Sequence, residues 1–282
     1  MMRYSVRPCL VAIVSLWTIA AYAQDKTPEV PKNLTAAEIV ERSRQAFYYP
    51  GTDMKAKITM DLITDAGAKR TRILAMLRRN DPKSQNQKYF LYFHEPADVR
   101  RMVFMVWKYP EKDDDRWLFV PALDLVRRVA ADDKRSSFVG SDFTYEDVSG
   151  RDVSADTHSL SREENVGERD CYVVQSVPKT VVDYTKQLSW IDKGSFLPLK
   201  EEYYDAQEQL FRVFTADRIE SIAVGEGDSK GKFPTIVRRT MKNIKTGHRT
   251  EVTYTSVSYN VGLKDEHFSE RSMRHPPMDY VK

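Results

Sequence analysis

Cysteine is scarce in this 282-residue chain, with Cys9 and Cys171 its only two. A disulfide framework is excluded if the first residues are removed, because Cys171 is then alone. It opens Cys171-Tyr-Val-Val-Gln-Ser-Val177, a strand-like run with no activating base beside it, so an inert buried thiol is expected. Long hydrophobic runs are missing as well, and nothing beyond residue 23 approaches the roughly 20 apolar residues of a membrane-spanning helix. The five histidines (94, 158, 248, 267, 275) are scattered, without metal-ligand spacing. Ser141 lies in Gly-Ser-Asp rather than in a Gly-x-Ser-x-Gly elbow. Asp113-Asp-Asp115 lacks the calcium-loop pattern and reads as a solvated turn. Glu146 and Asp147 are adjacent carboxylates without a visible partner, more suited to capping a helix or binding amides than to acid–base work. No phosphate-cradling glycine loop is present. These absences leave no catalytic constellation, no metal site and no cofactor to expect.

Residues 1–23 have the pattern of a secretory signal peptide. Arg3 and Arg7 make a positive start, 10–20 an apolar stretch, and Ala21-Tyr22-Ala23 a small-x-small cleavage site. Gln24 follows the expected cut, so no lipid anchor is expected there. Loss of the two arginines lowers the formal charge from +3 to +1. Nucleic-acid binding, which needs a basic stripe, is not expected. The Arg-Arg pairs at 78–79, 100–101, 127–128 and 238–239 would point to opposite faces of strands, as solvated positions.

Residues 24–33 read as a polar linker. Thr35-Ala-Ala-Glu38 is a capping-box signature that predicts a helix over 35–47, stopped by Pro50-Gly51. Strand signals follow. Lys55–Leu62 alternates, with Ala56, Ile58, Met60 and Leu62 on one face and Lys55, Lys57, Thr59 and Asp61 on the other. Further strands are predicted at 72–78, 88–94, 102–108, 116–121, 125–129, 158–166, 171–177, 186–192, 198–205, 209–219, 235–243 and 249–258. Segments 130–137 and 224–234 read as surface loops. The spacing predicts one mainly β domain over 34–282. Several strands are apolar on both faces, which requires cover from helices, a second sheet or a ligand. Periodicity does not choose among these.

The stretch Arg116-Trp-Leu-Phe-Val-Pro-Ala-Leu-Asp-Leu-Val-Arg-Arg-Val129, with Phe138-Val-Gly-Ser-Asp-Phe-Thr-Tyr-Glu-Asp147, resembles the periplasmic outer-membrane lipoprotein-sorting proteins, relatives of the carrier LolA. The likeness runs from about Leu34 to Pro276. It implies a curved antiparallel incomplete β-barrel with helices lidding its concave face. It also implies a non-enzymatic periplasmic carrier of acyl chains of a lipoprotein or lipid, with an inner-membrane transporter as donor and an outer-membrane acceptor. A monomer is expected. The rival reading is an accessory or docking module of an envelope exporter; an enzyme acting on envelope lipids comes third. Within 138–147, Phe138, Phe143 and Tyr145 serve equally well as core aromatics or as a lid over the ligand, with Ser141 or Asp142 capping a short helix. Candidate cavity residues are Ile58, Met60 and Leu62 on one strand and Trp117 and Phe119 on another, under Phe138, Phe143 and Tyr145. Which strand set faces the cavity stays open, since a one-residue slip reverses the faces.

Overall fold

The predicted helix forms at Ala36–Tyr48 (α1), and Thr35 caps it as its capping box requires. The Thr35 backbone N–H donates to Glu38 at 2.8 Å, and the Glu38 N–H donates back to the Thr35 hydroxyl at 3.3 Å. The helix ends before Pro50 and Gly51. Gly51 has a φ of 74°, and a Cβ there would come within 2.8 Å of Asn260. The computed structural model describes residues 34–224 and 231–282, with residues 1 and 2. The expected signal peptide, the linker and the tip of the 224–234 segment lie outside the described residues. Residues Leu34–Lys282 form one compact unit. No helix among the described residues is long and apolar enough to cross a membrane.

Thirteen strands form a single antiparallel sheet among the described residues. They are β1 (Asp53–Ile63), β2 (Lys69–Asn80), β3 (Gln87–Glu95), β4 (Val103–Lys108), β5 (Asp115–Val120), β6 (Leu125–Val129), β7 (Asp156–Val166), β8 (Arg169–Pro178), β9 (Lys186–Asp192), β10 (Pro198–Tyr204), β11 (Leu210–Val224), β12 (Gly231–Asn243) and β13 (Arg249–Tyr259). Every strand predicted from alternation is present. One loop is not as expected, because β11 and β12 pair as far as Val224 and Gly231, with Pro234 opposite Ser221. A proline forfeits one ladder bond, and this long hairpin continues past it.

The sheet order is β6-β5-β4-β3-β2-β1-β13-β12-β11-β10-β9-β8-β7. The sheet is not closed, and its edges, β6 and β7, are consecutive in the chain. The connection 130–155 therefore has to travel from one edge of the sheet to the other. It carries a 3-10 turn at Ala131–Arg135, the short helix α2 (Tyr145–Ser149) and a second 3-10 turn at Val153–Ala155. The expected surface loop at 130–137 is thus the start of this crossing.

Two contacts of α2 show that the sheet curls around it. Lys108 on β4 donates to the Gly150 carbonyl at 2.9 Å, and Arg212 on β11 pairs with Asp147 at 3.2 Å. Asp147 and Gly150 are about 4.5 Å apart along a helix axis. In a flat sheet β4 and β11 would be separated by roughly 29 Å at about 4.8 Å per strand. Two side chains cannot span that gap, so the face they share is concave.

The concave side holds a continuous apolar cluster. Its members include Met54, Ile58, Met60, Leu74, Met76, Leu91, Phe104, Leu118, Phe214, Met241 and Val252, and Phe138, Phe143 and Tyr145 descend into it from the crossing segment. The convex side of β2–β5 is covered by the C-terminal segment, with helices α3 (Glu270–Arg274) and α4 (Met278–Val281). Leu263, Phe268, Met273 and Val281 pack there on Leu77, Phe90, Val103, Met105 and Phe119. Asp53 tethers this segment by accepting from the N–H groups of Val261, Gly262 and Leu263 at 2.6, 3.0 and 2.9 Å. Both faces of these strands are therefore covered, which accounts for their two-sided apolarity. Cys171 is buried with Val173, Trp190 and Leu199 on the other half of the sheet. Burial pushes its thiol up to about 11, as an inert thiol requires.

Candidate functional site

Strand alternation decides which side chains reach the concave space. On β1, Met54, Ala56, Ile58, Met60 and Leu62 point inward. The rows of the sheet then align residues on neighbouring strands. Arg239 on β12 lies opposite Val252 on β13, Val252 opposite Met60, and Met60 opposite Arg72 on β2. On β5 the inward residues are Arg116 and Leu118. Trp117 and Phe119 face the convex side, where Trp117 packs on Trp107 at 5.2 Å and Phe119 lies under Arg274. Of the two candidate strand sets, the structure brings only Ile58, Met60 and Leu62 to the concave side. Phe138, Phe143 and Tyr145 join them there, Phe138 at 5.3 Å and Tyr145 at 5.1 Å from the Phe104 ring.

Three small cavities lie between sheet and helices, and a wider, open cleft of about 640 Å³ borders α1 and the 152–158 segment. The first, about 120 Å³, is mixed, with Arg44, Asp152, Gln187 and Glu201 beside Phe47, Phe214 and Met241. A second, about 30 Å³, lies by Met54, Arg78, Tyr89 and Tyr259. The third, about 40 Å³, is nearly all apolar, with Ile58, Met60, Leu74, Leu91, Phe138 and Val252 around it. Leu62 and Tyr145 belong to the same cluster but line none of the three. All three cavities border Arg239. Phe47 and Tyr48 of α1 divide the first from the second, and Phe143 and Asp147 divide the first from the third. Residues of α1, of the crossing segment and of β12 are thus the shared walls of neighbouring parts of one concave space.

Ion pairs pin the crossing segment to that space. Arg135 bonds Asp183 at 2.7 Å and Glu146 at 3.2 Å, and Arg151 bonds Asp156 at 2.9 Å and Glu146 at 3.3 Å. Burial alone would raise the Asp147 carboxyl, but Arg212 and Arg135 hold it below the usual carboxylate range. The helix α2 is capped by Thr144, not by Ser141 or Asp142; the Thr144 N–H donates to Asp147 at 2.7 Å, and the Asp147 N–H returns the bond at 3.2 Å. Ser141 instead donates to the Phe138 carbonyl at 2.7 Å, and Asp142 accepts from Thr250 and His248 at 2.8 and 2.6 Å. Asp147 does bind a backbone amide, as expected of it, while its charged partners come from β11 and the 131–135 turn, far away in sequence.

Three charged residues expected in water are turned inward. Asp114, read as part of a solvated turn, is buried between Arg116 at 2.6 Å and Lys108 at 3.7 Å. From the Arg-Arg pairs, Arg78 is 3% exposed and Arg239 borders the cavities, because strand alternation sends one member inward on β2 and on β12; Arg127 and Arg128 are both exposed. Chemistry that could transform a ligand is sparse. No group of three or more His, Cys, Asp or Glu side chains among the described residues could hold a metal ion. One serine–histidine contact lines the first cavity, with Ser176 Oγ 2.8 Å from His158 Nδ1. His158 Nε2 lies 2.9 Å from the Val153 carbonyl rather than beside a carboxylate. Sequence distance concealed this pair.

A family model with the description "uncharacterized protein" matches residues 85–275, more than half the chain. The chain belongs to the family that this model describes. A DUF1329 family protein from Desulfovibrio piger is 28% identical, over 84% of this chain and 97% of that one, with a TM-score of 0.75. A domain described as an outer-membrane lipoprotein-sorting protein, from Vibrio parahaemolyticus, is 26% identical over 85% and 98%, also with a TM-score of 0.75. A LolA superfamily protein from Nitrosomonas europaea shares the fold at 20% identity and a TM-score of 0.62, over 85% and 99%. No curated protein matches the chain. The family match begins in the β2–β3 turn, so it includes the crossing segment, Asp147 and Arg239.

Proposed function

We propose that this LolA-like protein is an exported, periplasmic carrier that holds the acyl chains of a lipoprotein or lipid between its concave sheet and the α1–α2 lid. The observation that carries this reading is that Phe47 and Tyr48 of α1, Phe143 and Asp147 of the crossing segment, and Arg239 are the shared walls of three cavities over the concave sheet. Displacing α1 and the crossing segment would merge the three into one groove beside Ile58 and Met60. Burying one methylene contributes about 0.8 kcal/mol, so a chain of roughly 15 gives on the order of 12 kcal/mol before ordering and association costs. The three cavities that border Arg239, about 120, 30 and 40 Å³, are smaller than the roughly 300–1,000 Å³ of ligand pockets, and the open cleft of about 640 Å³ beside α1 touches neither Ile58 nor Met60. The closed form is therefore an unloaded one, and loading requires the lid to move. Residues 1–23 would direct export and be removed, 24–33 would serve as a linker, and 34–282 would be the carrier. Donor and acceptor would be an inner-membrane transporter and an outer-membrane site. Support comes from the likeness to the Vibrio lipoprotein-sorting domain.

Native mass spectrometry of protein purified from its own envelope tests the reading. A lipid or lipidated peptide bound in stoichiometric amount is expected. The small resting cavities favour the rival reading, a docking module of an envelope exporter, and an empty protein captured tightly by such an exporter would establish it. No hydrolysis of acyl esters is expected, since His158 has a carbonyl where an acid would orient a catalytic base. Reproducible ester turnover abolished by Ser176→Ala would make the protein an enzyme.

A further inference from the structure

Cations buried or half-buried on the concave side each have a polar partner, with one exception, the half-buried Arg239. Arg116, Arg135, Arg151, Arg212 and Lys108 pair with carboxylates. Arg72 donates to the Val139 carbonyl and Arg78 to that of Pro50. Among the described residues the Arg239 guanidinium meets no carboxylate or carbonyl, and its Nε is buried without a partner. Aromatic rings hold it instead, Tyr254 at 5.2 Å, Phe47 at 5.4 Å and Phe143 at 5.7 Å from the guanidinium carbon to the ring centroid. Rings offer a cation their faces, which fixes the guanidinium and leaves its N–H fork unspent. Burying a charge with no counter-ion is unfavourable, so a fixed and unpaired guanidinium is a site prepared for an anion.

Its location identifies the kind of anion. Arg239 stands where the mixed cavity, with its charged and hydroxyl groups, meets the apolar one. The only other charged side chain bordering the apolar cavity is Asp147, already engaged by Arg135 and Arg212. In the mixed cavity, Glu201 accepts from the Tyr203 hydroxyl at 2.8 Å. A molecule spanning this junction needs an apolar tail and an anionic end.

We propose that Arg239 is a headgroup site, which takes the carboxylate or phosphate of a single-chain anionic amphiphile whose tail lies along Ile58, Met60, Leu91 and Phe138. This rests on the carrier reading and deepens it. The planar fork suits both anions bidentately, where a lysine would offer a point charge.

Binding of a fluorescent polyene fatty acid, its methyl ester, dodecyl phosphate and inorganic phosphate is to be measured on the full mature chain and on Arg239→Met and Arg239→Lys. The acid and dodecyl phosphate are expected to bind at least tenfold more tightly than the ester. That preference should fall below threefold in Arg239→Met and be intermediate in Arg239→Lys, which keeps the charge should the methionine variant fail to fold. Equal binding of acid and ester by the parent overturns the headgroup site while leaving the carrier reading intact. Binding of none of the amphiphiles overturns both. Inorganic phosphate bound as tightly as dodecyl phosphate, and lost in Arg239→Met, overturns the amphiphile in favour of a free anion.

Discussion

Glu201 reaches the mixed cavity from β10, and burial pushes its carboxyl up to about 7 despite the Tyr203 hydroxyl and the Arg212 charge. An unfolded glutamate titrates near 4.3. Between these values the folded chain holds a proton that the unfolded chain has released, so stability falls as pH rises through that window. The contribution is complete below about pH 4 and gone once pH passes about 7. Glu201→Gln should flatten the decline, raising stability at pH 8 by on the order of 1–2 kcal/mol relative to the parent while matching it at pH 4. Denaturant titrations at the two pH values check this, and an unchanged slope would count against it. At the same scale, Phe119→Glu places a charge in solid packing beneath the C-terminal segment and should cost about 3–4 kcal/mol. Met60→Glu borders a cavity and stands opposite Arg72 in the sheet, so it should cost less and lower uptake of an acyl probe by roughly tenfold. Equal melting temperatures for the two variants would contradict their separation onto opposite faces. Alternation allowed these residues to be grouped from the sequence. It did not say which group looks inward, because the β5 face is chosen by pairing with β4, and nothing in the local pattern records that choice.

The elements themselves were nearly all legible. Thr35 and Glu38 mark the start of α1 by a local exchange of two hydrogen bonds, and each of the thirteen strands announces itself by its own residues. The errors arose where several residues offered the same local chemistry. In Gly140-Ser-Asp-Phe-Thr-Tyr-Glu-Asp147, Ser141, Asp142 and Thr144 can all cap a helix, and the Thr144-x-x-Asp147 spacing that decides among them is a weaker capping box than one ending in glutamate. Thr144→Ala should cost about 1 kcal/mol by removing that cap. Gly150→Ala should cost more, because the φ of 81° disfavours a side chain and the new Cβ would approach the Tyr48 ring to 2.8 Å. Thermal unfolding of both variants is the check, with Gly150→Ala expected to melt lower by several degrees. Its acyl-probe uptake should be faster than the parent's, since the clash loosens α1 from α2. A parent-like uptake rate would show that the two helices do not gate the groove.

At the scale of the molecule, the proposed carrier site depends on one topological fact, that the two edge strands are consecutive in the chain. The crossing segment has to traverse the concave face, bringing Phe138 and Phe143 over Ile58 and Met60. Nothing between residues 130 and 155 states this, because the order of strands in a sheet is a long-range property. The same holds for the ion pairs of Arg135 with Asp183 and of Arg212 with Asp147, whose partners are dozens of residues apart. Asp114, Arg78 and Arg239 read as solvated for this reason. Their burial is set by what crosses above them. The family resemblance supplied the lid where periodicity could not.

The strand order also has a consequence for how the chain folds. Each neighbouring pair in the sheet joins consecutive strands, except β1 with β13, where Met54 meets Tyr259 and Ile63 meets Arg249. Hairpin pairings close short loops and form quickly, whereas this seam closes nearly the whole described chain and has to wait for both of its sides. The protein should therefore assemble as two meanders, β1–β6 and β7–β13, that fuse along one line. Pulse-labelled hydrogen exchange during refolding should protect amides of the hairpins before those exchanged between β1 and β13. A seam protected in the earliest phase would mean that the ends of the chain, rather than its hairpins, organise the sheet.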